Sequence, residues 1–167
     1  MLDLVIVPPL RLTRIDTPVG PLTLAADADV LVAVSFASPD DEPVNSQPSQ
    51  ILERVGEQLA EYFEGRRRSF EVPFRLEGTP FQREVWTALL DVPFGVTVSY
   101  AAIARRIGRP DAMRAVGAAN GANPIAIIVP CHRVVGADGS LTGYGGGLDR
   151  KRWLLGHERR VSLFGTP

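Results

Sequence analysis

Two prolines, Pro124 and Pro130, bracket five consecutive apolar residues within the stretch Asn123–Val135. Proline holds its own φ and pushes the residue before it toward extended geometry. A short, largely β-branched apolar run bounded this way is expected to be a buried extended segment. It runs into Cys131, the only cysteine among 167 residues, followed by His132, one of two histidines. Such a segment should deliver the thiol rigidly to the rim of a pocket, where an adjacent imidazole favours the reactive thiolate. Taken alone, a lone cysteine is more often a buried structural residue. Beyond it come Gly136, Gly139, Gly143 and Gly145–Gly147. Missing side chains there permit close approach to a planar ligand, although the cluster by itself reads more readily as a surface loop.

The length suits one domain or two small ones, and 45 % apolar with 22 % charged residues is ordinary for a globular protein. No membrane partner is expected: no apolar run reaches spanning length, and Leu2–Leu10 contains Asp3 and two prolines, unlike a signal peptide. One cysteine allows no internal disulfide, which fits a reducing cytoplasm. With His132 and His157 as the only histidines, no Cys/His metal site is expected, and no cofactor. The net charge of −1 hides an asymmetry. Residues 1–78 carry 7 Arg and 13 Asp/Glu, a balance of −6, whereas residues 79–167 carry 11 Lys/Arg and 6 Asp/Glu, a balance of +5. A basic C-terminal half is the polarity that suits phosphate, though at this size a weak indication.

Short β-like runs at Leu10–Ile15, Pro21–Ala26 and Val30–Phe36 are separated by turn signals, and Ser38–Pro48 reads as an exposed loop. Ser49 opens a helix with Ile51, Leu52, Val55, Leu59 and Phe63 on one face, ended by Gly65, and Phe70–Phe74 could return as a strand. Thr79 and Pro80 begin a helix carrying Phe81, Val85, Trp86, Leu89 and Leu90 inward. Ser99 N-caps Tyr100–Ile107, and Asp111 N-caps a helix through about Asn120. Helix, Gly-containing turn and helix is the helix-turn-helix pattern, and also that of two packed helices with no DNA role. The second helix is nearly all Ala and Gly after Arg114. It lacks the forked side chains that read bases, but its thin surface could press close to a duplex. Packing against a neighbouring helix would explain it as well.

Five segments in order, GTPFQREVW (78–86), SYAAIA (99–104), RAVGAANGANP (114–124), IVPCHRVVG (128–136) and GYGGG (143–147), resemble the O6-alkylguanine-DNA alkyltransferases. The resemblance is dense over residues 78–158 and loose before them. It implies an α/β (α+β) fold, with a ribonuclease-H-like scaffold over 1–77 and a winged-helix-like DNA-binding half with a helix-turn-helix over 78–167. It implies direct-reversal repair: a flipped-out O6-alkylguanine in double-stranded DNA gives its alkyl group irreversibly to Cys131, once per protein. O4-alkylthymine, alkyl size and cooperativity along DNA stay open, and a monomer is expected. The zinc ligands that some members carry in the N-terminal half are absent.

By the same resemblance His132 is a base acting through water, Glu158 orients it, and Asn123 bridges the turn before the cysteine segment. Tyr100 crowds the phosphate, helping base rotation and protonation of the leaving guanine. Arg114 fills the vacated stack, in a helix that lies in the minor groove. Val134, Tyr144, Gly145 and Gly146 form the substrate slot, with Tyr144 walling the alkyl side. Without the resemblance Glu158 is a solvated helix-end residue, Tyr100 a core residue and Arg114 a phosphate-binding or solvated one. His157 has no role and is expected at the surface. The rivals are a non-enzymatic lesion binder, against which Cys131 argues, a Cys-His-Glu hydrolase, and a transcription regulator, which the base-blind helix disfavours.

Overall fold

A computed structural model describes residues 9–37, 41 and 49–165. Most of the Ser38–Pro48 segment, and Leu2–Pro8, lie outside the described residues. Strands β1 (Arg11–Ile15), β2 (Leu22–Asp27) and β3 (Val30–Phe36) form an antiparallel meander in the order β1-β2-β3, with a register shift at Ala25/Ala26. Helix α1 (Gln50–Phe63) starts where Ser49 accepts the Leu52 amide, and buries Ile51, Leu52, Val55, Leu59 and Tyr62. Its inward stripe recurs at helical spacing, which is what turns the pattern into packing.

The 70–74 stretch does not become a strand. It joins β3 through one bridge, Leu31 to Phe74, with bonds from Leu31 N to Pro73 O and from Arg75 N to Leu31 O. Pro73 has no amide hydrogen with which to extend a ladder.

Helix α2 (Pro80–Leu89) opens with a capping box: Thr79 Oγ1 accepts the Gln82 amide, and Gln82 Oε1 accepts the Thr79 amide. Val85, Trp86 and Leu89 point inward, but Leu90 is the C-cap and 40 % exposed, contrary to the inward position expected. Strand β4 (Val98–Ser99) pairs in parallel with β5 (Val134–Val135), and Ser99 caps α3 (Tyr100–Arg106). Helix α4 is Met113–Gly121, with Ala112 at its N-cap and no side-chain cap. Asp111 sits in the preceding turn, one residue too early to cap it. Helices α2, α3 and α4 pack on one another, and α5 (Leu148–Phe164) turns Lys151, Leu154, His157, Glu158 and Val161 inward.

The run between the two prolines is buried but not extended. Ile125 and Ala126 pair with β3, through Val34 N to Pro124 O and Ala126 N to Val34 O. The chain then folds back: Ile128 N bonds Ala126 O across Ile127, whose φ is +71°. A β-branched residue at positive φ is costly, by roughly 1–3 kcal/mol. Full burial of Ile125, Ile127 and Val129 in the core shared by both halves offsets that cost.

Candidate active site

Two asparagines anchor the segment that carries the thiol. Asn123 Oδ1 accepts the Ile125 amide at 3.0 Å and its Nδ2 donates to Val129 O at 2.8 Å, tying the two ends of the run between the prolines. Asn120, from the last turn of α4, donates to Cys131 O at 3.2 Å. Trp86 Nε1 in turn holds α4 through Ala119 O at 2.7 Å. Cys131 begins a 3₁₀ turn, Cys131–Arg133, so Cys131 and His132 do not alternate as in a strand. Cys131 is 4 % exposed, at a cavity of about 230 Å³. Asn123, Ala126, Tyr144–Gly146 and Val34–Phe36 of β3 line that cavity.

Behind the thiol, one carboxylate receives five donors. Glu158 Oε1 accepts from His132 Nε2 (2.7 Å), Tyr62 Oη (2.8 Å) and Arg133 Nη2 (2.9 Å); Oε2 accepts from Arg133 Nε (2.9 Å) and the Gly95 amide (3.1 Å). Burial alone would raise its pKa, but the His132 and Arg133 contacts outweigh that and hold it far below the ordinary carboxylate range. Glu158 thus lies inward, 1 % exposed, rather than solvated at a helix end. His132 is fully buried, and burial pushes its pKa down despite the raising effect of Glu158. The ring is therefore neutral, with the proton on Nε2 toward the carboxylate. Nδ1 is left as a buried acceptor with no protein partner among the described residues. Burial pushes the Cys131 thiol up, opposed by the Asn123 side chain, the Lys151 charge and Tyr144. Burial and the neighbouring Cys131 raise the Tyr144 phenol, whose oxygen has no hydrogen-bond partner of ordinary geometry among the described residues.

Sequence reasoning missed Lys151. Its Nζ is buried, donating to Val134 O at 2.5 Å and Thr142 O at 3.0 Å, and it lies about 6 Å from the ring centres of both Tyr100 (5.9 Å) and Tyr144 (6.0 Å). No carboxylate pairs with it among the described residues, and burial lowers its pKa. A signal was available: the chain has one lysine against 17 arginines. Where every other cation is a guanidinium, a compact ammonium marks a position where shape matters.

The remaining expected residues fall in two groups. Tyr144, Gly145 and Gly146 line the cavity; Val134 does not, being fully buried with its carbonyl on Lys151. Tyr100 starts α3, half-buried, donating to Thr142 O at 3.1 Å. Arg114 is exposed in the first turn of α4, with no hydrogen bond or ion pair among the described residues. Ala115 and Ala118 are exposed on the same helix, a Cβ added at Gly121 would meet nothing, and one at Gly117 would only touch Tyr100 at 3.8 Å. Close internal packing therefore does not require those glycines. His157 is not at the surface. It is 3 % exposed, donates from Nε2 to Tyr62 O at 2.7 Å, and stacks on Trp153 at 5.0 Å, because that face of α5 meets the end of α1. Among the described residues no cluster of three His, Cys, Asp or Glu could hold a metal, and no helix is long and apolar enough to cross a membrane.

This arrangement has known counterparts. Residues 80–160 match the DNA binding domain of 6-O-methylguanine DNA methyltransferase, and residues 10–76 match its ribonuclease-like domain. The methylated-DNA–protein-cysteine methyltransferase of Mycobacterium tuberculosis is 52 % identical over 149 residues, 87 % of this chain and 90 % of the relative. The crystal structure of the Mycobacterium tuberculosis O6-methylguanine methyltransferase superposes with a TM-score of 0.83 at 48 % identity, covering 93 % of this chain and 99 % of that one. Mycobacterium tuberculosis OGT in complex with DNA matches with a TM-score of 0.82 at 50 % identity, covering 89 % of this chain and 92 % of that one.

Proposed function

Because the chain belongs to the 6-O-methylguanine DNA methyltransferase family, we propose that Cys131 is its acceptor sulfur and that the groups packed around it carry out the transfer. The protein reverses O6-alkylguanine damage directly, moving the alkyl group from the guanine oxygen to a cysteine. Cys131 is the only cysteine it has, and it sits at the cavity; that observation carries the assignment. DNA is the macromolecular partner.

The thiol starts protonated, since burial raises its pKa. His132 takes that proton at Nδ1 through one water, while Glu158 holds the Nε2–H and stabilises the charge that develops on the ring. The Lys151 ammonium, with no carboxylate partner among the described residues, favours the thiolate. Sγ attacks the alkyl carbon in line; the S–C bond forms as the C–O6 bond breaks, and the electron pair stays on guanine. Guanine takes up a proton, donated by the Tyr100 hydroxyl and balanced by the one that left the thiol. The resulting thioether has no ready leaving group, so each protein acts once. Residues 78–167 bind the duplex as a monomer, α4 in the minor groove, with Arg114 filling the place of the extruded base. Residues 1–77 are scaffold, apart from the end of β3, which lines the cavity. Tyr144, Gly145 and Gly146 form the guanine and alkyl slot.

Intact mass after mixing with duplex containing O6-methylguanine tests the reading. One methylene should be added to the peptide bearing Cys131, with equimolar repair. Cys131→Ser should bind the lesion without transfer. Many turnovers per protein, or repair by Cys131→Ser, would overturn it and favour a hydrolase or another acceptor.

A further inference from the structure

The alkyl-side wall of the cavity is completed by the N-terminal half. Phe36, the last residue of β3, meets Tyr144 edge to face, with ring centres 5.7 Å apart at 68°. Both rings line the cavity that holds Cys131. Tyr144 walls the alkyl side in the transfer reading, and Phe36 extends that wall beyond it. The fit is tight. A Cβ added at Gly146 would lie 2.6 Å from the Phe36 ring and 3.0 Å from Tyr144. The space left by the missing side chain at Gly146 is thus taken by Phe36, not by ligand.

Arg150 fixes this ring in place. Its guanidinium carbon stands 4.9 Å from the centre of the Phe36 ring. The same fork donates from Nε to Val19 O at 2.7 Å and from Nη1 to Gly146 O at 3.2 Å. One side chain thereby ties the β1–β2 turn, the end of β3 and the glycine-rich loop together. The planar, delocalised fork can stack on an aromatic face while its nitrogens donate at the edge, which an ammonium cannot do.

We propose that Phe36 is a specificity-determining residue that limits the size of the transferable alkyl group, and that Arg150 is the residue positioning it. The proposal rests on the transfer reading above. Methyl occupies only the space next to the sulfur, whereas a benzyl group must reach further along the wall and meet the Phe36 ring. Discrimination comes from the difference between the two substrates at that contact.

The test uses the full chain and one duplex sequence carrying either O6-methylguanine or O6-benzylguanine. Single-turnover rate constants are read from the mass of the Cys131 peptide for wild type, Phe36→Ala, Phe36→Leu, Arg150→Ala and the Phe36→Ala/Arg150→Ala pair. Phe36→Ala should raise the benzyl-to-methyl rate ratio about ten-fold or more, and Phe36→Leu less. Arg150→Ala should raise it in wild type but add nothing once Phe36 is gone, an interaction that general destabilisation would not produce. Should Phe36→Ala not fold, Phe36→Leu carries the comparison. A ratio within two-fold of wild type in the folded variants, or equal slowing of both substrates, would overturn the wall. An Arg150→Ala effect unaltered by loss of Phe36 would overturn the positioning role. Absence of any adduct on wild-type Cys131 would overturn the transfer reading itself, a result distinct from an unchanged ratio.

Discussion

Replacing Glu158 with glutamine keeps the shape of the side chain and removes its charge. Five donors converge on the carboxylate, two of them from Arg133. Glutamine offers one acceptor oxygen and sets an NH₂ group against the remaining donors. Arg133, only 6 % exposed, keeps its bond to Val92 O and its place over the Phe94 ring, but loses its counter-charge. Stranding one partner of a buried ion pair costs about 3–5 kcal/mol. That is a large share of the roughly 5–15 kcal/mol by which a protein of this kind is stable. At about 2–4 °C per kcal/mol, the thermal midpoint should fall by about 6–20 °C.

The acid limb adds a sign. The folded-state pKa of Glu158 is depressed, so its contribution is fully present above the unfolded carboxylate value of about 4.3 and is lost as pH falls toward the folded value. The gap between wild type and Glu158→Gln should therefore be constant near neutrality and close below about pH 4. Urea unfolding followed by circular dichroism at several pH values reads both quantities. Adding Arg133→Met to Glu158→Gln should restore part of the loss, because the stranded charge is then gone. A loss of less than about 1 kcal/mol, as for an exposed pair, or a gap indifferent to acid, would refute the picture of a carboxylate charged within the core.

Four further outcomes are expected. Lys151→Met should slow transfer and move the alkaline limb of the pH–rate profile upward, since the thiolate loses the charge that holds the thiol pKa down; an unmoved limb would leave Lys151 only as the holder of two carbonyls. In wild type the rate should fall on the acid side only below the ordinary imidazole range, because His132 is held neutral by a lowered pKa; a rate already falling at neutral pH would contradict that. Arg114→Ala should impair repair of duplex far more than reaction with free O6-benzylguanine, with equal losses pointing to a structural role. Ala118→Glu, on an exposed position of α4, should leave the circular dichroism spectrum unchanged while weakening a DNA affinity that falls with salt and ignores sequence; strongly sequence-specific binding to undamaged duplex would revive the regulator.

The elements legible in the sequence are those whose signals are local. Ser49, Thr79 and Ser99 each satisfy a free amide three residues on, so cap and helix start can be read together. The apolar spacing of α1 and α2 says which face turns inward, because helical period converts sequence position into direction. Where the local signal was thin the reading slipped by a residue or an element, as at Asp111, Leu90 and the stretch ending at Phe74. The candidate thiol was legible for another reason: among 167 residues there is one cysteine, and it stands beside a histidine.

Burial of polar groups was not legible, because it depends on partners far away along the chain. Glu158 looks like a solvated helix end until Tyr62, 96 residues earlier, and the Gly95 amide close over it. His157 is drawn inside by the carbonyl of the same Tyr62. The positive φ of Ile127 follows from Ile125 and Ala126 pairing with β3, a constraint absent from the five residues between the prolines. From the sequence alone came the candidate nucleophile, the helix starts and the faces they bury, since these depend on residue type and on neighbours within one turn. The charge on Glu158, the neutral ring of His132, the burial of Lys151 and the closing of the cavity by Phe36 were decided only by the tertiary structure, since each depends on how strongly distant elements desolvate a group and which donors they bring to it.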